Sequence, residues 1–228
     1  MTIATITHCP LYIVHLSTEK GVIPIQRAKE EGQRVYVETC PQYLTMTDAK
    51  LQKLGPLAKI GPPLRTEKDR LALWRAIQKG LIDVVASDHA PKAKKLGDPF
   101  FEAPYGSPQC ETMLTVTYDE GVNKKRIKPS RLVQLFSENP AKIFGLYPKK
   151  GAIQKGSDAD LVIFDPKITY TIKHENQHSG GPYTLYEGRK CKGRPVLVMQ
   201  RGEILIEDGE MKGKAGEGKF LSTPLPDL

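Results

Sequence analysis

Two short apolar runs in this sequence end in residues able to bind a metal ion. Leu11-Tyr12-Ile13-Val14 runs into His15-Leu16-Ser17, and Val84-Val85-Ala86-Ser87 runs into Asp88-His89-Ala90-Pro91. An imidazole and a carboxylate, each leaving a stiff apolar segment, are donor types that suit a divalent cation such as zinc. The Asp88 carboxylate could also act as a general base toward a metal-bound water. Plainer uses exist for both residues. A lone strand-end histidine usually bonds a backbone carbonyl, and Asp88, just ahead of Pro91, could be a turn or capping residue. From spacing alone, both readings stand.

The surrounding pattern decides how such residues would be presented. Up to about residue 147, short apolar runs alternate with helical periodicity. The run from Leu11 to Val14 reads as a buried strand, Glu19 to Glu31 as a helix ended by Gly32, and Val35-Tyr36-Val37 as the next strand. A period of about 3.6 through Leu71, Leu73, Trp74 and Ile77 predicts a helix that stops at Gly80. Ile82-Asp83-Val84-Val85-Ala86 follows as another buried run. Continuous apolar strands separated by helices indicate parallel β/α units. In β/α barrels catalytic residues project from the C-terminal ends of strands, which is where His15 and Asp88 fall. Beyond the break the texture is antiparallel: short β runs at 161–164, 170–172, 196–199 and 204–206, joined by glycine-rich turns. The expected organisation is a β/α part over 1–147, a β module over 148–207 and an extended tail over 208–228.

Composition narrows the classes. The chain has 228 residues, with 34 Lys+Arg against 26 Asp+Glu and a formal net charge of +8. At roughly 150 residues per domain this means one or two domains. No apolar run approaches the ~20 residues of a membrane span, so a membrane partner is not expected. The opening MTIATITHCP lacks a basic segment followed by an apolar one, so no secretory signal is expected. Cys9, Cys40, Cys110 and Cys191 form no CxxC pair and read as reduced thiols of a cytoplasmic protein. The basic clusters at 124–126, 149–150 and 189–194 sit beside Gly or Pro without interleaved aromatics. They read as solvated turns, and no nucleic-acid partner is expected.

Longer stretches carry a family resemblance. LYIVHLSTEKG, RVYVETCPQYL and GPPLRTEKDRLALWRAIQKGLIDVVASDHAPK resemble the second half of hydantoinase- and dihydropyrimidinase-type cyclic amidohydrolases. So do SENPAKIFGLYPKKGAIQKGSDADLVIFDP and LYEGRKCKGRPVLVMQRGEIL, in the same order. The resemblance implies an α/β fold: the C-terminal portion of a (β/α)8 barrel followed by a small β-sandwich module. It also implies a two-metal centre, commonly zinc, and hydrolytic opening of a cyclic amide or ureide ring by a metal-bound hydroxide. His15 matches the sixth-strand histidine ligand and Asp88 the eighth-strand aspartate, which is both ligand and catalytic proton carrier. His89 is implied as a supporting neighbour of that site and not a ligand. A homo-oligomer is the usual assembly.

The departures from the family pattern are equally specific. The five histidines, at 8, 15, 89, 174 and 178, supply no HxH pair. The fifth-strand histidine and the segment of the carboxylated lysine have no counterpart here. Gly61 stands before PPLR where Ser is frequent, and Tyr105 precedes Gly106 where Asn is frequent. Gly61, Tyr105 and Gly106 are thereby expected at the substrate ring, although Gly61 could be a plain turn and Tyr105 a surface aromatic. The expected function is that of part of a metal-dependent ring-opening hydrolase. The other reading is a non-catalytic, dihydropyrimidinase-related scaffold, against which the presence of both His15 and Asp88 weighs.

Overall fold

The three apolar runs of the first half form β1 (Leu11–Ile13), β2 (Val35–Thr39) and β3 (Val84–Val85). In the computed structural model, which describes residues 1–223, they pair in parallel in the order β1-β2-β3. Tyr12 lies opposite Tyr36, and Thr39 opposite Val85. Val35, Val37 and Thr39 of the central strand are buried and the residues between them half-buried, as a period of two requires. Two expectations are corrected. Val14 lies past the last paired residue of β1 and is 46% exposed. The run expected over 82–86 is a strand only at Val84 and Val85. There, the Val37 N–H donates to the Asp83 carboxylate at 2.8 Å, so a side chain takes the place of a ladder carbonyl.

Short α1 (Thr2–Ile6) precedes β1, and α2 (Glu19–Glu30) follows it. The Thr18 hydroxyl accepts the Gly21 N–H at 3.1 Å and starts α2. After β2 come α3 (Pro41–Thr45), α4 (Asp48–Leu54) and α5 (Glu67–Gln78), the last begun by a capping box between Thr66 and Asp69. Asp69 also accepts the Glu19 N–H at 2.9 Å, which ties the starts of α2 and α5 together. Gly32 and Gly80, with φ of 78° and 75°, supply the left-handed residue beyond each of these helices. Trp74 on α5 is buried and donates its indole N–H to the Leu44 carbonyl at 2.9 Å.

After β3 a long loop leads to α6 (Cys110–Tyr118), which continues as a π-helical turn over Asp119–Asn123. α7 (Pro129–Val133) and α8 (Asn139–Ile143) follow. Arg131 and Asn139 donate to the carbonyls of Ile82 and Asp83, each at 2.8 Å, and fix this helical segment to β3. The last part is an antiparallel sheet of β4 (Leu161–Thr171), β5 (Lys190–Gln200), β6 (Glu203–Glu207) and β7 (Glu210–Met211), in that order. The run expected at 161–164 and the first two residues of that expected at 170–172 belong to one strand, whose register shifts between Ile163 and Phe164 and again between Asp165 and Thr169. β7 falls within the stretch from 208 expected as a tail, and positions 224–228 of that stretch lie outside the described residues.

One cluster of buried apolar residues joins the two parts, from Leu16, Val37 and Trp74 to Ile172, Tyr186 and Cys191. A buried carboxylate adds a second joint. Glu120 pairs with Arg70 at 3.2 Å, Lys124 at 2.8 Å, Arg126 at 3.5 Å and Arg189 at 3.1 Å. Lys150 likewise bridges Asp158 and Asp160. Part of the positive charge expected in solvated turns is thus neutralised within the fold. All four cysteines are free, and among the described residues no helix is long and apolar enough to cross a membrane.

Candidate functional site

His15 and Asp88 both leave their strands with a left-handed backbone, at φ 42° and 50°. Non-glycine residues held in that region cost of order 1–3 kcal/mol, and they cluster where function needs them. Their surroundings account for the constraint. The Glu38 carboxylate on β2 accepts the Tyr12 hydroxyl at 2.8 Å and the His15 N–H at 3.4 Å. The Leu16 N–H donates to the Glu38 carbonyl at 2.8 Å, and the Thr39 hydroxyl to the Leu16 carbonyl at 2.7 Å. The turn after β1 is therefore pinned to β2 on both sides of the histidine.

Asp88 is exposed, yet enough protein surrounds its carboxyl group for burial to raise its pKa above the usual value, offset in part by the charge of His15. Burial pushes the Cys40 thiol up, with added repulsion from Glu38 and Asp88. His15, Glu38, Cys40 and Asp88 all lie at or just beyond the carboxyl ends of the parallel strands. His89 turns the other way. Its Nδ1 accepts the backbone N–H groups of Gln109 and Cys110, both at 3.1 Å, at the start of α6. That leaves its proton on Nε2 and its Nδ1 lone pair occupied.

The three residues expected at a substrate ring also come together. A Cβ added to Gly61 would lie 3.3 Å from the Tyr105 ring, and Tyr105 is 64% exposed. Gly106, at φ 107°, presses against Ala90, whose carbonyl oxygen would be 2.8 Å from an added Cβ. Only glycine fits there. Gly106 donates its N–H to the Lys59 carbonyl at 3.1 Å, and the Ala90 N–H reaches the Ser107 carbonyl at 3.0 Å. The surface formed by Gly61, Tyr105 and Gly106 is thereby connected to the strand end that carries Asp88.

Three further residues hold these segments in place: Glu38 through the Tyr12 hydroxyl, Lys94 through the Gly106 carbonyl, and Tyr183. Glu38 lies just past the expected strand Val35-Tyr36-Val37, and Lys94 lies outside the three basic clusters named from the sequence. Tyr183, which donates its hydroxyl to the Gly106 carbonyl at 3.1 Å, lies far away in sequence. None carries a local signal.

The Amidohydrolase family model matches residues 4–205. The chain belongs to the amidohydrolase family. Among its relatives, the D-phenylhydantoinase of Escherichia coli is 41% identical over 221 residues, which cover 94% of this chain and 48% of that protein. The solved D-hydantoinase of Bacillus sp. AR9 superposes with a TM-score of 0.92 at 36% identity, over 96% of this chain and 50% of the other. The dihydropyrimidinase of Brevibacillus agri gives 0.90 at 35% identity, over 94% and 48%. The α/β fold is therefore that of hydantoinase-type amidohydrolases, and the chain spans about half the length of the curated relatives it matches.

A divalent cation in an enzyme is commonly held by three or more protein donors. Among the described residues no three His, Cys, Asp or Glu side chains come together in that way. His15 and Asp88 by themselves do not fit a metal centre.

Proposed function

We propose that this chain supplies one part of a cyclic amidohydrolase that opens hydantoin- or dihydropyrimidine-like rings. The observation that carries this reading is the placement of His15 and Asp88. Both stand in a left-handed conformation at the ends of parallel strands, within a family fold whose named relatives include hydantoinases. Ring opening adds water across an amide C–N bond: oxygen joins the carbonyl carbon, and the leaving nitrogen needs a proton. Asp88 is the group in this chain able to take the proton from water and return it to nitrogen. Gly61, Tyr105 and Gly106 form the surface against which the ring lies, with the missing side chain of Gly61 leaving room for the Tyr105 ring and that of Gly106 leaving room for Ala90.

In this reading His15 and Asp88 are two donors of a zinc centre, and the remaining donors belong to residues outside this sequence. The three parallel strands are then a segment of a (β/α)8 barrel over 1–147, and the antiparallel sheet over 148–207 part of a β-sandwich. The assembly is a cytoplasmic homo-oligomer. Its partner is a small cyclic amide or ureide.

Co-expression with the N-terminal half of the Escherichia coli relative tests the reading. The expected result is metal uptake and hydantoin hydrolysis by the pair, lost when Asp88 or His15 is replaced. A pair that forms and takes up metal but leaves hydantoin and dihydrouracil intact would sink it, as would unchanged hydrolysis by Asp88→Asn.

A further inference from the structure

Lys94 sits in the run Lys92-Ala93-Lys94-Lys95, where Lys92 and Lys95 are exposed and Lys94 is only 2% exposed. Burying an ammonium group without a carboxylate partner is costly. The charged group that faces Lys94 is a second buried cation, Lys59, 7% exposed. Its hydrogen bonds go to backbone carbonyls: Nζ donates to Gly106 at 2.7 Å and to Lys59 at 3.0 Å. The same two carbonyls are shared with other donors. Lys59 accepts the Gly106 N–H, and Gly106 accepts the Tyr183 hydroxyl. Lys59 Nζ in turn donates to the Phe101 carbonyl at 2.9 Å and lies 4.8 Å from the Tyr105 ring centre. Every one of these contacts ends on the segment that carries Tyr105 and Gly106, or on the residues leading into Gly61.

We propose that Lys94 is a positioning residue, kept in the interior to clip the Tyr105-Gly106 segment onto the Gly61 turn so that the ring-facing surface is formed before a ligand arrives. This rests on the reading of Gly61, Tyr105 and Gly106 as substrate-facing. A lysine kept only for stability would have a carboxylate beside it or its head group in water. Lys94 has neither, and its charge is opposed by Lys59. What it supplies is two N–H donors for two carbonyls, one on each of the two segments that form the proposed surface. Tyr183 adds a third from the segment between β4 and β5, which links the clip to the second part of the fold.

Hydrogen exchange on the chain itself tests the clip, whatever the chain catalyses. Lys94→Met keeps the bulk of the side chain and removes its donors and charge. Exchange in segments 59–61 and 103–107 is expected to rise roughly tenfold or more, while the urea midpoint stays level or increases. Wild-type exchange in those segments overturns the proposal, and so does a rise that merely follows a fall in global stability. Tyr183→Phe, which leaves both ammonium groups in place, is expected to give a smaller rise confined to the same segments; no rise there removes Tyr183 from the clip and overturns the three-donor arrangement. In the co-expressed pair with hydantoin as substrate, Lys94→Met is expected to raise KM roughly tenfold and to change kcat less. A loosened segment with unchanged KM overturns the positioning role. A wild-type pair that opens no ring defeats the functional reading instead, and the exchange result still decides the clip.

Discussion

The Cys110 N–H donates to Nδ1 of His89 at 3.1 Å, so the residue that follows Asp88 is fastened to the first residue of α6. The Gln109 N–H shares the same acceptor. Helix starts leave backbone N–H groups without partners, and here an imidazole takes the place usually filled by a capping hydroxyl or carboxylate. His89→Ala is therefore expected to lower stability by about 1–2 kcal/mol in urea unfolding. In a ring-opening assembly it should also lower kcat, because Asp88 loses the neighbour that fixes its turn. Unchanged stability would show that the cap contributes nothing.

The left-handed backbone at Asp88 gives a prediction with opposite signs for stability and activity. Glycine adopts φ near 50° without the steric cost an aspartate meets, although it gives up more chain entropy on folding. Asp88→Gly is expected to stabilise the chain by about 0.5–1 kcal/mol. The same change should remove at least ~10²-fold of any ring opening, the scale of general acid–base catalysis. Thermal unfolding and hydantoin hydrolysis measure the two effects. A destabilised Asp88→Gly would mean that the carboxylate holds the turn and is not strained by it.

Glu120 predicts acid sensitivity. Burial on its own would raise this carboxyl group, but Lys124 and Arg189 more than offset burial and hold it below its ordinary value. A group depressed in the folded state contributes stability above its unfolded pKa and loses it as pH falls through the folded one. Glu120→Gln, which removes the buried negative charge shared by Arg70, Lys124, Arg126 and Arg189, is expected to cost about 3 kcal/mol at neutral pH. The difference from wild type should shrink as pH drops below about 4.5. A gap between the two proteins that does not change from pH 7 to pH 3 would refute the assignment.

How much of this was legible in the sequence follows from what each residue depends on. His15 and Asp88 stand out because an apolar run stops near each, a local pattern that is visible although the paired strands end sooner, at Ile13 and Val85. Gly32 and Gly80 mark helix stops for the same local reason. The shortened β3 was hidden, because it arises from the Asp83 carboxylate accepting an N–H 46 residues away. Arg189 read as part of a solvated turn because its partners, Asp119 and Glu120, are brought to it only by the packing of α6 against the antiparallel sheet. Lys94 could not be told from Lys92 or Lys95, since burial there is decided by the carbonyls of Lys59 and Gly106.

That burial makes Lys94 a source of alkaline stabilisation. Burial, followed by the charge of Lys59, pushes its ammonium down from the usual 10.5 to about 8. Below pH 8 the group is protonated whether the chain is folded or not, and its cost to folding is constant. Between about 8 and 10.5 the unfolded chain holds the proton and the folded chain does not, so stability rises with pH across that window. At 1.36 kcal/mol per pKa unit, the gain from pH 7.5 to pH 9.5 is about 2 kcal/mol. The neutral amine keeps two N–H groups, enough for both carbonyls, so the clip persists while its cost disappears. Burial also raises the phenol of Tyr183, so it stays protonated throughout this range and does not mask the effect. Urea unfolding at the two pH values should give a difference between wild type and Lys94→Met that moves by that amount in favour of the wild type at pH 9.5. Parallel curves for the two proteins would mean that Lys94 keeps its proton in the folded chain, held by its carbonyl partners strongly enough to outweigh both burial and Lys59.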